Sequence, residues 1–569
     1  MSTTPASASA SASASASASA SASLAETLDG LLKPWNRSDA PGLVIGVARD
    51  GASIYRRGFG LASVEHGTAN TPKTRMRIGS TSKHFAALAA LLLTEEGRLD
   101  IDVPVRHYLP ELVGVSGAPS LRQMMQHTSG LRDPYDLAEF LVYGNWSTIV
   151  CAGAGLEIAQ RFTSLNFRSG ERMIYCNQGY HLLSLVIERV SGISFESFLQ
   201  QRLLAPLGMT DTALLPSDMS MMPRLASLHI PQSDGSYRRG IYPNEELLGS
   251  GGMVSTIDDM LVWLAHLRSE QKRVGAAQSW QQMLQRPHYS SGALGDYCLG
   301  LTRETYRGVE LIHHAGAVAG GTCQMLTVPA HALDIILMFN RMDGPASAVA
   351  LKVIDAVLDN KLAPAIAPLP IEGREGLIGR WYAADSHRIF GVVAQPQKDQ
   401  APALALSIND AVLGLLREEN GGLIATSPAH GAVQLRLPAV GEQGSEVIEF
   451  IDSGHSELCV RLPDAGASSA ALAPELLGRY RYADMNLMLS VVLEADVLYL
   501  DLHPSCGSTR YRLTPYSPDV CGCTLESSWP QWLPAQHLGA TLAIERRGGA
   551  VAGLWLSNSR TRDLWLERA

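Results

Sequence analysis

The sequence predicts an α+β protein: one antiparallel sheet flanked by helices, followed by two small antiparallel β-barrels. Three observations predict it. Strand-like segments stand at both ends of the first ~360 residues, with helical segments between them. A Pro/Ala-rich stretch, KLAPAIAPLPIEG (361–373), then interrupts the chain. Beyond it, GLIGRWYAAD from Gly376 and ELLGRYRYAD from Glu475 open two matching segments, which end alike in HSELCVRL (455–462) and TRDLWLER (561–568). This is an internal repeat of about a hundred residues, made of short alternating strands with Gly and Pro turns.

Taken in order, residues 6–23 are a pure Ala-Ser alternation with nothing to bury, so a disordered tail is expected over 1–23. The tail has neither the basic start nor the aliphatic core of a secretory signal. GLVIGVARDGASIYRRGFG (42–60) reads as two strands joined at Asp50-Gly51. A helix starts at Ser80, runs to about Glu96 and stops at Gly97; it is apolar nearly all round, which predicts burial in the middle of the domain. GTCQMLTVP (321–329) and ALDIILMFN (332–340) form a second hairpin, and a helix covers about 345–360. With strands at both ends, the sheet should be closed by the two termini of a domain at 24–362. A second linker, DAGASSAALAPE (464–475), separates barrels at 373–464 and 475–569.

Composition excludes several classes. The 569 residues carry a formal net charge of −9 and no Lys/Arg cluster, so no nucleic-acid partner is expected. The longest apolar run, Phe85 to Leu93, is too short to span a bilayer, so no membrane partner is expected either. The eight cysteines show no disulfide framework, and Cys521-Gly-Cys523 reads as ordinary reduced thiols rather than a metal site. The expected compartment is the cytoplasm.

Chemistry concentrates in three places. Ser80 and Lys83 in GSTSKHF (79–85) share a helix face, so the amine can reach the hydroxyl if that face lines a cleft. An unperturbed lysine is neutral in fewer than about 1% of molecules at neutral pH, so a useful base needs its pKa lowered by ~3 units, or ~4 kcal/mol. The apolar helix behind Lys83 can supply the burial. A second dissociable group would help to pass the proton onward. FRSGERMIYCNQGYHLL (167–183) offers one, delivering Tyr175-Cys176-Asn177 immediately before an amphipathic helix. HHAGAVAGG (313–321) places His314-Ala315-Gly316 at the entrance to a strand, with glycines that let a substrate lie against the backbone.

Ser-x-x-Lys, Tyr-x-Asn and His-x-Gly in this order resemble the serine β-lactamase and penicillin-binding-protein superfamily, in its class C-like branch. HTSGLRD (127–133), GSGGMVSTIDDM (249–260) and YCLGL (297–301) agree, so the resemblance covers about residues 30–360. It implies acyl transfer, with Ser80 as nucleophile, Lys83 and Tyr175 exchanging the proton, and Tyr175 protonating the leaving group. The backbone N–H groups of Ser80 and Ala317 would form the oxyanion hole, Asn177 would orient Lys83 or the substrate amide, and no metal or organic cofactor is needed. His127 is expected to fix the fold around the site, and His313 to be a neighbour.

A lysine in the third motif would suit a substrate carboxylate; His314, mostly neutral near pH 7, demands one less. His-x-Gly with two C-terminal barrels is similar to the bacterial D-aminopeptidases, which remove N-terminal D-residues from peptides, amides and esters. The alternative is a carboxypeptidase, β-lactamase or esterase on the same scaffold, and a minor alternative is a non-catalytic binding protein. The resemblance also allows a homodimer. In that family a loop of the last barrel enters the cleft. The candidate here, ESSWPQWLPAQHLGA (526–540), has Glu526 at its base and no acid at its tip; Trp529 and Trp532 are read as interface packing, with a cation–π contact to substrate as the alternative.

Overall fold

A computed structural model describes residues 23–112, 114, 119–133, 137, 154–242, 248–398, 400–419, 421–427, 431–437, 446–503, 509–526 and 539–569. The Ala-Ser tail apart from Ser23, and 527–538 with Trp529 and Trp532, lie outside them. The chain forms two compact units. One comprises Met1–Leu92, Ile193–Met283 and Gly300–Pro364; the other comprises Leu93–Gly192, Leu284–Leu299 and Ala365–Ala569.

The first unit is built on a six-stranded antiparallel sheet. Its N-terminal hairpin pairs β1 (Leu43–Arg49) with β2 (Ala52–Phe59) through Asp50 and Gly51, whose φ of 53° and 78° give the doubly left-handed turn that suits right-twisted strands. β3 (Thr302–Tyr306), β4 (Val309–Val318), β5 (Gly321–Val328) and β6 (Leu333–Phe339) complete it in the order β3-β4-β5-β6-β1-β2. β6 pairs with β1 from Leu43↔Phe339 to Arg49↔Leu333, so the ends of the segment close the sheet as expected.

The main helices are α1 (Lys83–Glu95), α2 (Asn177–Ser191), α3 (Ile257–Arg268) and α4 (Ala346–Leu358). Period-two alternation gives the sheet two apolar faces. Leu43, Ile45, Val47, Ile335 and Leu337 pack with Val349, Val353 and Ile354 of α4 in one core. Gly46 faces the other way; a Cβ there would lie 3.0 Å from Leu261 Cδ1 and 3.3 Å from Ile257 Cβ of α3. α1 is buried from Lys83 through Leu93, as its all-round apolar sequence predicts.

The repeat is visible in side-chain detail. Arg461 donates to the carbonyls of Gly376 and Ile378, while Arg568, at the matching position, donates to those of Glu475 and Leu477. Arg461 also lies over Trp381 and Arg568 over Tyr480. The last segment, Gly478–Arg568, is a closed eight-stranded barrel. The preceding one, Gly379–Arg461, is a nine-stranded antiparallel sheet curled until Gly414 approaches another strand; a Cβ there would fall 2.7 Å from Thr426 O. The stretch expected as a linker at 464–475 instead contains α5 (Ser469–Leu476). Leu472, Ala473 and Leu476 bury one face of α5 in the barrel core, and that burial holds Pro474 in a short helix.

Candidate active site

Ser80 lies in the 3-10 turn Gly79–Ser82 that leads into α1. Ser82 Oγ donates to Gly79 O at 2.7 Å and accepts from Met253 N at 3.1 Å, which pins the turn to the Ser250–Met253 segment. Lys83, three residues after Ser80, is fully buried, and its Nζ donates to Ser80 Oγ at 3.0 Å and to Ser250 O at 2.6 Å. The amine is therefore aimed at the hydroxyl by a carbonyl that the sequence reading did not single out. The only sequence signal for Ser250 was its place in GSGGMVSTIDDM.

Two glycines bring this turn against β4. Gly79 has φ of 53°, and a Cβ on it would sit 2.8 Å from Ala317 N. A Cβ on Gly316 would fall 1.9 Å from Ile78 O. At these glycines the turn and the strand meet backbone to backbone, with Thr81 Oγ1 also donating to His314 O at 3.4 Å, and this sets the peptide of Ala317 beside the residue that precedes Ser80. Gly316 serves this close approach, and Ala317 itself is exposed. His314 on the same strand is buried. Burial and then the Lys83 charge push its imidazole down to about 3, and Nδ1 donates to Ala315 O at 2.5 Å. It is neutral in the physiological range. His313 Nε2 lies 3.1 Å from a carboxylate oxygen of Glu304.

Tyr175 and Asn177 belong to the second unit. Asn177 opens α2, and its N–H donates to Asp133 Oδ2 at 2.7 Å; a carboxylate at a helix N-terminus is electrostatically favoured. His127 Nδ1 accepts from Cys176 N at 3.1 Å, and its ring lies 4.0 Å from that of Tyr175. HTSGLRD therefore holds Tyr175-Cys176-Asn177 from both sides, which is the structural role expected of His127. Tyr297, of YCLGL, meets the Tyr175 ring edge-on at 6.0 Å.

The beta-lactamase family matches residues 24–359, a span that holds every one of these motifs. The chain belongs to the beta-lactamase family. Like other members it can be set beside named relatives. It is 26% identical over 546 residues to a D-aminopeptidase of Cereibacter sphaeroides, covering 93% of this chain and 95% of that one. It is 25% identical over 538 residues to a D-aminopeptidase of Brucella canis, covering 91% and 94%. An octameric penicillin-binding protein homologue from Pyrococcus abyssi shares the fold, with a TM-score of 0.52 at 19% identity over 96% of this chain and 99% of that one. The two D-aminopeptidases align well past residue 359, so the family domain and the C-terminal segments recur together.

In this beta-lactamase family member, Ser80, Lys83, His314, Gly316 and Ala317 are gathered in the first unit. Tyr175 is ringed by His127, Tyr297 and one residue outside the sequence motifs: the guanidinium of Arg560, from the last barrel, lies 5.1 Å from its ring centroid. The loop expected to come from that barrel, 526–540, is outside the described residues except at its ends. Glu526, at its base, pairs with Arg512.

Proposed function

We propose that this chain is a serine hydrolase that works through an acyl-enzyme and releases N-terminal D-amino acids from peptides, amides or esters. The observation that carries the reading is Lys83 Nζ at 3.0 Å from Ser80 Oγ and 2.6 Å from Ser250 O. A fully buried amine held on the hydroxyl is suited to take its proton.

Ser80 Oγ attacks the substrate carbonyl carbon and gives up its proton to Lys83, with Tyr175 as the exchanging partner. The oxyanion is received by the N–H groups of Ser80 and Ala317. Tyr175 returns the proton to the leaving amine or alcohol, and water then hydrolyses the ester to Ser80. Asn177 orients Lys83 or the substrate amide. The neutral His314 favours an aminopeptidase over an enzyme for substrates with a free carboxylate, because it offers no fixed positive charge at the third motif. The two D-aminopeptidase relatives, aligned over more than nine-tenths of this chain, supply the substrate class.

The family and these relatives support a substrate-binding hydrolase; for assembly we propose a homodimer, tested by light scattering on the full chain. Among the described residues no helix is long and apolar enough to cross a membrane. We propose the cytoplasm as the compartment, supported by six described cysteines that are all free and buried.

The test is release of p-nitroaniline from D-Ala-p-nitroanilide, its L-isomer and its N-acetylated D-form, with Ser80→Ala as control. Turnover of the free-amine D-substrate alone, lost in the mutant, is expected. Turnover only of a simple ester or of nitrocefin would transfer the machinery to the carboxypeptidase, β-lactamase or esterase reading.

A further inference from the structure

The loop Asn558–Asp563 joins the last two strands of the barrel, beyond the family match that ends at residue 359. It is a loop by connection but not by exposure: Asn558, Ser559, Thr561 and Arg562 are each at most 6% exposed. The segment before Tyr175 grips its backbone. Arg132 donates to Arg562 O at 2.6 Å, while Asn166 donates to Arg560 O and accepts from Arg562 N, both at 3.0 Å. Inside the loop, Asn558 Oδ1 accepts from Arg560 N at 2.9 Å and Thr561 N at 2.7 Å. Arg560 is therefore fixed at both of its peptide groups.

Its half-buried side chain ends over Tyr175, and no carboxylate among the described residues pairs with it. Other arginines of this unit differ: Arg388 pairs with Glu457 and Asp452, and Arg172 pairs with Glu457. A cation over an aromatic face is attracted to the ring, and more strongly when the ring carries an anionic oxygen. Among the described residues of this unit, these groups around Tyr175 carry no such charge. His127 uses Nδ1 as an acceptor, Tyr180 and Tyr297 are buried phenols, Cys176 is a buried thiol, and Asp133 is an acid that opposes ionisation.

We propose that Arg560 is a positioning residue for the reaction: its fixed positive charge over the Tyr175 ring favours the phenolate and keeps Tyr175 able to accept a proton near neutral pH. The inference rests on the role given to Tyr175 above, where Lys83 is its proton-exchange partner.

The test compares the full-length wild type with Arg560→Met and Arg560→Lys. One readout is kcat/KM for D-Ala-p-nitroanilide against pH. The other is ultraviolet titration of tyrosinate, referenced to Tyr175→Phe, which needs no substrate. In Arg560→Met the ascending limb and the Tyr175 titration should both move up by about 1 pH unit, and Lys should restore most of the shift. Arg560→Gln is read in the same way if the Met variant folds poorly. Unmoved titrations would overturn the proposal. So would an effect confined to KM for carboxylate-bearing substrates, which would make Arg560 a substrate contact. If no D-substrate is turned over, the functional reading fails while the titration still decides the role of Arg560.

Discussion

Gly79 and Ala317 meet backbone to backbone: a Cβ on Gly79 would lie 2.8 Å from Ala317 N and 2.9 Å from its O. This contact is what allows a strand peptide to stand beside the Ser80 turn. The first glycine also needs φ of 53°, which a side chain rarely adopts.

Gly79→Ala should therefore separate the two N–H groups without unfolding the chain. A fall in kcat of about 10²–10³ is expected, the usual cost of losing one oxyanion donor. The check is kcat on the D-anilide alongside the circular-dichroism melt. Wild-type kcat in a folded Gly79→Ala protein would rule out the assigned oxyanion site.

Lys83→Met removes the amine held between Ser80 Oγ and Ser250 O. Proton transfer by a positioned base typically contributes about 10²–10⁴-fold, so kcat/KM should drop within that range. Rapid-quench detection of the acyl-enzyme locates the loss: slowed acylation is the expected outcome, and normal acylation would exclude Lys83 as the base.

His314 has a folded pKa of about 3 against an ordinary 6.5, because burial and then Lys83 disfavour its cation. Its folded pKa is depressed, so the unfolded chain binds the extra proton first. The stability it contributes is whole above pH 6.5 and is lost as pH falls from 6.5 toward 3. At pH 4.5 the wild type should have lost roughly 2–3 kcal/mol relative to a His314→Gln variant, given ~1.4 kcal/mol per pKa unit. Urea titrations of both proteins at pH 7 and 4.5 measure this; parallel losses would contradict it.

Glu457 is 2% exposed and is bound by Arg388 at 2.8 Å, Arg172 at 3.1 Å and Ser386 at 2.9 Å. Burial pushes its carboxyl up, but Arg388 and Arg172 pull it down further, to about 2. That stability is present above about pH 4.5 and disappears as pH falls toward 2. Glu457→Gln leaves the buried Arg388 with Asp452 as its remaining carboxylate partner among the described residues, a loss of up to about 3–5 kcal/mol. It also loosens Arg172, three residues before Tyr175, so kcat should fall together with the urea midpoint. A stable variant with normal kcat would show that the cluster does not position Tyr175.

Much of this molecule is legible in its sequence where the physics is local. Asp50-Gly51 marks a hairpin because few other pairs accept two left-handed residues. Ser80 and Lys83 lie three apart because a helical turn puts them on one side. The repeat is legible from its matching openings, while only the structure shows that Arg461 and Arg568 do the same work on corresponding backbone carbonyls. The stretch at 464–475 misleads because its Ala, Ser and Pro content resembles a linker, and only the open end of a barrel gives Leu472 and Leu476 somewhere to bury.

By itself, then, the sequence determined the closed sheet, the doubled C-terminal segment and the three-residue spacing of Ser80 and Lys83, whose proposed roles come from the family resemblance. The closed sheet, the repeat and the spacing follow from periodicity and turn chemistry, which are short-range properties of a chain. The tertiary structure alone decided that Ser250 O aims Lys83, that Gly79 meets Ala317, and that Arg560 covers Tyr175. Arg132 and the Arg562 carbonyl it holds are 430 positions apart. Contacts of that range join residues far apart in the chain, and several of them end on backbone groups that every residue carries, so no local pattern announces them.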